Sequence, residues 1–297
     1  MHAGRERPGY RAREAAVLAV EGHDREVFLQ GQLTQDVRGL RAGEARPAAG
    51  LTPTGKLLYA GLLVALSDRY LLVLDGDRDD VAAPAVSHLS RFAAFQKAAV
   101  SDISRGWILR TLYGPGPEGI ALPRGALRLP ARGETSGEIL APAASGGALE
   151  AALAGAGSER VSSEEAETLR VEAGRALFGK DADASNIPDE VGLQAAVSTA
   201  KGCYVGQEVV ARLRHHGKVA RRLVGFRFPG GPVAEGTAFA DPGKPGRTLA
   251  TVTTSVISPR FGAIGLGLAA RDVVEGAALS ASDAPERVAV VVGLPFA

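Results

Sequence analysis

The chain has 297 residues, 45% hydrophobic and 23% charged, with 34 Lys+Arg against 33 Asp+Glu. That length holds two or three domains with a sizeable core, and a net charge of +1 excludes whole-chain electrostatic binding of nucleic acid. One cysteine excludes an internal disulfide and suits a reducing compartment. No apolar signal-like run is visible near the N-terminus, and Leu57 to Leu66, the longest apolar stretch, is too short for a bilayer, so no membrane contact and a cytoplasmic location are expected.

The apolar run Ala15 to Val20 predicts a strand. Gly22-His23-Asp24 breaks it, and Asp24 predicts the cap of a helix from Arg25 with Val27, Phe28 and Gly31 on its buried side. Pro53-Thr54-Gly55 predicts a turn between antiparallel strands at 45–51 and 56–66. Tyr70 to Leu74 reads as a strand, and Asp75-Gly76-Asp77 opens a helix to about Leu89. This order predicts an α+β layer with helices on one face of a mostly antiparallel sheet. A second set is expected from Ala99, with strands at Val100 to Ile103 and Trp107 to Tyr113. Residues 115–155 read as irregular, with a strand near Ile139 and a short helix over Ala148 to Leu153. Ser162 with Glu165 predicts a capping box for a helix through Glu172, ended by Gly174. Short runs at Leu223 to Phe228, Leu249 to Ile257, Gly262 to Leu268 and Val288 to Val292 predict a small closed or nearly closed β-barrel. The expected division is therefore 1–219 and 220–297, the first region splitting near 98.

The most informative segment is Lys201-Gly202-Cys203-Tyr204-Val205-Gly206-Gln207-Glu208, which holds the lone cysteine. Gly202 and Gly206 permit positive φ and close approach. Lys201 places a cation where it favours the thiolate of Cys203 over a thiol with an ordinary pKa of about 8.5. The ordinary alternative is a small buried hydrophobe. Iron–sulfur clusters are usually held by four thiolates, which one cysteine cannot supply, and the adjacent His215 and His216 point apart, so no resident metal is expected.

Around this octapeptide, Val209-Val210-Ala211-Arg212 and Gly217-Lys218-Val219-Ala220-Arg221-Arg222-Leu223 follow, and Leu169-Arg170-Val171-Glu172-Ala173-Gly174, Phe178-Gly179 and Asp181 precede. With 28–37 (Phe-Leu-Gln-Gly-Gln-Leu-Thr-Gln-Asp-Val) and the turn at 51–56, these segments resemble the YgfZ family of folate-binding proteins, related to the T-protein (aminomethyltransferase) of the glycine cleavage system. The resemblance implies two intertwined ferredoxin-like halves forming a folate-binding region, plus a C-terminal β-barrel. Three lobes would surround a central cavity for tetrahydrofolate or another reduced folate.

It further implies that Glu172 accepts the pterin ring N–H and 2-amino group as a charge-assisted pair, the ordinary alternative being an exposed helix-end carboxylate. Arg170 pairs with Glu172, faces the glutamyl tail or is a solvated helix charge, and Lys201 and Tyr204 join the cofactor site. The T-protein carries an Asp-Asp pair where this chain has Tyr59 and Ala60, and neither residue supplies a carboxylate for methylene transfer. The basic run Arg212, Arg214, His215, His216, Lys218, Arg221 and Arg222 is a solvated connector or an anion site. In the second case Arg212, Lys218 and Arg221 take a polyglutamate tail or RNA phosphates, although no aromatics interleave for base stacking. The implied function is that of a folate-binding accessory protein for assembly or repair of iron–sulfur enzymes, with Cys203 as a reactive thiol and client or assembly proteins as partners. A folate-dependent one-carbon or aminomethyl transferase and a tRNA-modification factor are the alternatives.

Overall fold

Every residue from Ala16 to Val20 is apolar, a pattern that suits a strand covered on both faces. The computed structural model describes residues 7–116, 119–217, 219–241 and 244–297 and buries all five. This strand, β2 (Ala16–Glu21), lies in an antiparallel sheet with β3 (Ala45–Leu51), β4 (Leu57–Ala65), β5 (Tyr70–Leu74) and β6 (Ala99–Asp102), in the order β3-β4-β5-β2-β6. One face packs on α1 (Arg25–Gln32) and α2 (Arg78–Ala93) through Leu18, Val20, Phe28, Leu63 and Leu89. With these helices, β2, β4, β5 and β6 make the β-α-β-β-α-β order of a ferredoxin-like unit, extended by the edge strand β3.

The other face, carrying Val17, Ala19, Leu62, Leu71 and Val73, packs on Leu109, Leu129 and Leu140 of a second sheet. That sheet runs in the order β10-β1-β7-β9-β8, from β10 (Glu159–Arg160), β1 (Gly9–Arg13), β7 (Trp107–Tyr113), β9 (Gly137–Pro142) and β8 (Leu127–Leu129). Helix α3 (Gly146–Gly155) covers its outer face through Leu149 and Leu153 against Ile139 and Ala141. Because β1 precedes the first unit in the chain yet belongs to the second sheet, the two α+β halves are intertwined. Helix α4 (Ser163–Glu172) bridges to the third lobe, where Val171 packs on Ile264, Leu266 and Phe296.

The third lobe is a closed barrel, β11-β14-β13-β12-β15-β16, formed by β11 (Arg221–Arg227), β12 (Ala238–Asp241), β13 (Lys244–Ser258), β14 (Gly262–Ala270), β15 (Ala278–Ala281) and β16 (Val288–Val292). Phe226, Phe228 and Phe239 stack at its centre, with ring centroids 6.1 to 6.4 Å apart. Gly267 leaves room for them: a Cβ there would stand 2.9 Å from the Phe226 ring and 2.2 Å from the Thr251 carbonyl oxygen.

Several local expectations change. Val27 is 62% exposed, because the inward stripe of α1 is centred on Phe28, Leu29 and Gln32. Asp24 holds the N-cap position, but its carboxylate accepts from Lys97 N instead of from the helix. The strand expected to open the second half pairs with β2 and completes the first sheet, so the halves divide after Asp102. Strand β1 was not foreseen, and β8 lies within the stretch read as irregular. No described helix is long and apolar enough to cross a membrane.

Candidate functional site

The octapeptide packs against the first half. Lys201 is buried, and its Nζ donates to the carbonyl oxygens of Gln30 and Leu33, both at 2.7 Å, and of Gln35 at 2.9 Å. Carbonyls at a helix C-terminus have no helical partners and attract cations, so Lys201 closes the end of α1. Burial pushes its pKa down to about 8. The same ammonium lies 5.1 Å from the centre of the Tyr204 ring. Lys201 is thus committed to α1, and the expectation that it activates Cys203 is not met by its geometry. Cys203 itself is exposed. Gly206 has φ of 84° and ends the loop at α5 (Gln207–His216); a Cβ there would fall 2.6 Å from the Thr52 carbonyl oxygen of the β3–β4 turn. Gly202 and Glu208 face solvent, while Gln207 is part-buried.

The basic run does not converge on one anion site among the described residues. Arg214 donates through Nε to both oxygens of Asp189, at 3.0 and 3.2 Å. Arg221 reaches Ser185 and, at 3.6 Å, Glu190, whereas Arg222 donates to the Val273 carbonyl. Arg212 is exposed on α5, and Lys218 lies outside the described residues.

Helix α4 is capped by Ser162, whose Oγ accepts from Glu165 N. Arg170 and Glu172 do not pair, because residues two apart on a helix point to different sides. Arg170 is 3% exposed. It donates to both Glu167 oxygens at 2.8 Å, to Asp181 Oδ2, to the Arg175 carbonyl and to Thr254 Oγ1. Asp181 in turn accepts from Leu177 N, Thr253 and Thr254, so one buried network joins α4, the connector after it and the barrel. Burial alone would raise the Glu167 pKa, but Arg170 and then Lys180 hold it at about 2. Glu172 instead accepts from Ser258 Oγ at 2.6 Å and Arg260 Nη1 at 3.4 Å, in a cleft between α4 and the barrel.

A cavity of about 410 Å³ opens where β1, the start of α2, Tyr113 and α4 meet. Arg11, Arg13, Arg78, Arg170 and Arg175 line it, with Asp77, Glu134 and Glu167. Glu172, Lys201 and Tyr204 are not in its wall. Strand register sets Arg11 beside Thr111 and Thr111 beside Glu138, so Glu138 projects from the sheet face that carries Arg11. Glu138 is 2% exposed and accepts from Arg132 Nη2 at 2.8 Å and Thr111 Oγ1 at 3.2 Å, with Arg13 at 3.6 Å. Arg132 also grips both oxygens of Asp75 at 2.9 Å, and Glu134 takes two hydrogen bonds from Arg175. Burial, then the charge of Glu134, pushes the Tyr113 hydroxyl up to about 12. Sequence reading missed Glu134 and Glu138. The available signal was a single charge opening an otherwise apolar strand, Glu138-Ile139-Leu140-Ala141.

Tyr59 points into the core beneath α1 and α2, edge-on to His88 with centroids 5.9 Å apart, and burial pushes its pKa up. Ala60 faces the opposite way among Ala49, Leu51 and Leu57. Asp75 N donates to the Ala60 carbonyl, but the Asp75 carboxylate is held by Arg132.

Two outcomes follow from these contacts. Lys201→Met strands three carbonyls at the end of α1 and is expected to cost about 2–4 kcal/mol in urea unfolding. Glu167, at about 2 in place of 4.5, contributes on the order of 3 kcal/mol above pH 4.5, and that contribution falls away as pH drops from 4.5 toward 2. Glu167→Gln should flatten this part of the acid-unfolding curve.

No family model matches the chain. It is 29% identical to an aminomethyltransferase of Rubrobacter xylanophilus, covering 94% of this chain and 80% of that protein. It is 30% identical to an uncharacterized protein of Haemophilus influenzae, covering 71% and 70%, and 28% identical to the tRNA-modifying protein YgfZ of Escherichia coli, covering 70% and 68%. The crystal structure of glycine cleavage system aminomethyltransferase T from Bartonella henselae shares the fold, with a TM-score of 0.85 at 23% identity over 99% of this chain and 87% of that one. With the relatives matched over most of both chains and the three-lobed architecture in common, the chain belongs to the YgfZ-type family, related to the aminomethyltransferases.

Proposed function

We propose that this protein binds a reduced folate in the cavity between its two α+β halves and acts as an accessory factor for the assembly or repair of iron–sulfur enzymes. The observation that carries the folate reading is the charged cavity itself, found in a chain that shares its fold with an aminomethyltransferase. A pterin presents its ring N–H and 2-amino group side by side, and a carboxylate accepts both. Glu138 is a buried carboxylate on the sheet face that carries Arg11, next to the cavity wall but not in it, and it is the carboxylate assigned this role in place of Glu172. Arg11 and Arg78, less buried than Arg170, suit the glutamyl carboxylates. Cys203 is the exposed thiol of the octapeptide and is assigned the chemistry toward client proteins.

Aminomethyl transfer is the second reading, favoured by the relative named aminomethyltransferase. Against it, the two positions expected to carry aspartates hold Tyr59 and Ala60, both buried among apolar side chains. The tRNA-modifying relatives support an RNA-linked role, which the dispersed basic run does not strengthen.

Isothermal titration of tetrahydrofolate tests the first part. Wild type should bind saturably, Glu138→Gln should bind more weakly by about 1.5–3 kcal/mol, and Glu172→Gln should stay within about twofold of wild type. Absence of wild-type binding overturns the proposal, and a loss confined to Glu172→Gln returns the pterin contact to that residue. For the second part, Cys203→Ser should keep the wild-type unfolding curve yet fail to restore iron–sulfur enzyme activities in a deletion strain. Full complementation by Cys203→Ser removes the thiol from the function.

A further inference from the structure

Five large hydrophobic side chains are exposed among the described residues, and three of them, Val27, Phe92 and Phe95, gather where the start of α1 meets the end of α2. Asp24 N donates to the Lys97 carbonyl and Lys97 N to Asp24 Oδ2, both at 3.1 Å, which ties the N-terminal end of α1 to the turn after α2. Val27 stands three residues from Asp24 on the same side of α1, and Phe95 two residues from Lys97. His88, Phe92 and Phe95 follow one another at the spacing of a helix face. The His88 and Phe92 rings are 5.3 Å apart, and Phe95 N donates to the Phe92 carbonyl. Phe95 is 87% exposed, so the fold itself gains little from an aromatic ring there. An exposed apolar cluster with polar groups around it marks a surface of interaction.

The charge around the cluster selects the partner. No acidic residue lies between Asp80 and Asp102, whereas Arg91 and Lys97 flank the two phenylalanines. The side chains of both cations are exposed and make no hydrogen bond or ion pair among the described residues. The acids across the seam are already engaged: Asp24 holds the Lys97 amide, and Glu26 accepts from the Tyr70 hydroxyl at 3.2 Å. Carboxylates of a partner would therefore meet two free cations, which sets specificity and orientation more than affinity. Nucleic acid and anionic lipid carry a phosphate on every unit and are held by larger groups of cations, and two beside Asp24 and Glu26 are too few. A second copy of this chain would set the same two cations against themselves across a two-fold axis. A seam between two helices suits a third helix laid into it by its apolar side.

We propose that the seam between the start of α1 and the end of α2 docks an acidic amphipathic helix of a protein partner. Val27, Phe92 and Phe95 take its apolar side chains, and Arg91 and Lys97 take its carboxylates. The inference rests on the accessory-factor reading only for who the partner is, and it uses no residue of the folate cavity, so tetrahydrofolate binding and this docking succeed or fail separately.

The test titrates the full chain, by calorimetry and backbone-amide NMR, with a synthetic helical peptide of Glu and Leu in amphipathic order. Its Lys-for-Glu counterpart, a single-stranded oligoribonucleotide and phosphatidylglycerol vesicles are titrated beside it, and sedimentation reports self-association. The acidic peptide should saturate one site at least about tenfold more tightly than the other probes and shift the amides of Val27, Phe92 and Phe95. Phe95→Ala should weaken it on the order of tenfold without moving the thermal midpoint, because the ring is exposed. Arg91→Glu combined with Lys97→Glu should transfer the preference to the lysine peptide, which an unspecific apolar patch would not do. Failure of the acidic peptide to bind, equal or tighter binding of any other probe, self-association through this face, or an unchanged affinity in Phe95→Ala overturns the proposal.

Discussion

The junction of α4, the connector after it and the barrel depends on one buried cation, the Arg170 guanidinium. It touches α4 through Glu167, the connector through Asp181 and the Arg175 carbonyl, and the barrel through Thr254. Removing a charge of this kind from water is expensive, and it is tolerated only when partners satisfy it from several sides. Glu167, Arg175 and Asp181 lie within 11 residues of Arg170, and Thr254 of the barrel, 84 residues away, completes the set, so the guanidinium is fully satisfied only when the barrel is docked on α4. The same side chain lines the central cavity, and Asp181, on its far side, lines a second cavity against the barrel. Docking of the barrel and the shape of the cavity wall therefore share one side chain.

The sheet-on-sheet packing explains where the cavity begins. Across the second sheet, the row Arg13, Leu109 and Leu140 ends in apolar side chains that meet the first sheet, while the next row on the same face is Arg11, Thr111 and Glu138. Two residues along the strands, the surface changes from core to charge. Charged side chains cannot interdigitate with Val17 or Leu71, so the sheets part there and leave space lined by hydrogen-bonding groups. Glu138 is held behind that boundary by Thr111 and Arg132, which donate to its two oxygens.

Legibility in the sequence followed the range of the interaction. The β3–β4 hairpin, the Ser162-capped helix and the barrel strands were readable, because turn chemistry, capping and alternation act within a few residues. The partners of β1 and β6 were not, since pairing is decided by topology and nothing local records it. The Arg170–Glu172 pairing, one of the alternatives for Arg170, fails for a different reason. The motif was identified, but the direction of Glu172 relative to Arg170 follows from helical geometry, which turns residues two apart to different sides. The buried carboxylates at 134 and 138 were hidden for a third reason, since their segment has little periodicity of its own and acquires its role by pairing with β7.

The octapeptide shows how a cluster of functional-looking residues divides its roles. Lys201 closes α1, Gly206 allows the chain to pass against the Thr52 carbonyl, and Tyr204 fills the space beneath Lys201. Gln207 is part-buried, leaving Cys203 and Glu208 as the side chains turned to solvent. Of those two only the thiol is a nucleophile and redox-active. The anchoring on either side therefore presents Cys203 at a fixed place on the surface. A buried small hydrophobe would need none of that support, and the exposure of Cys203 removes that alternative.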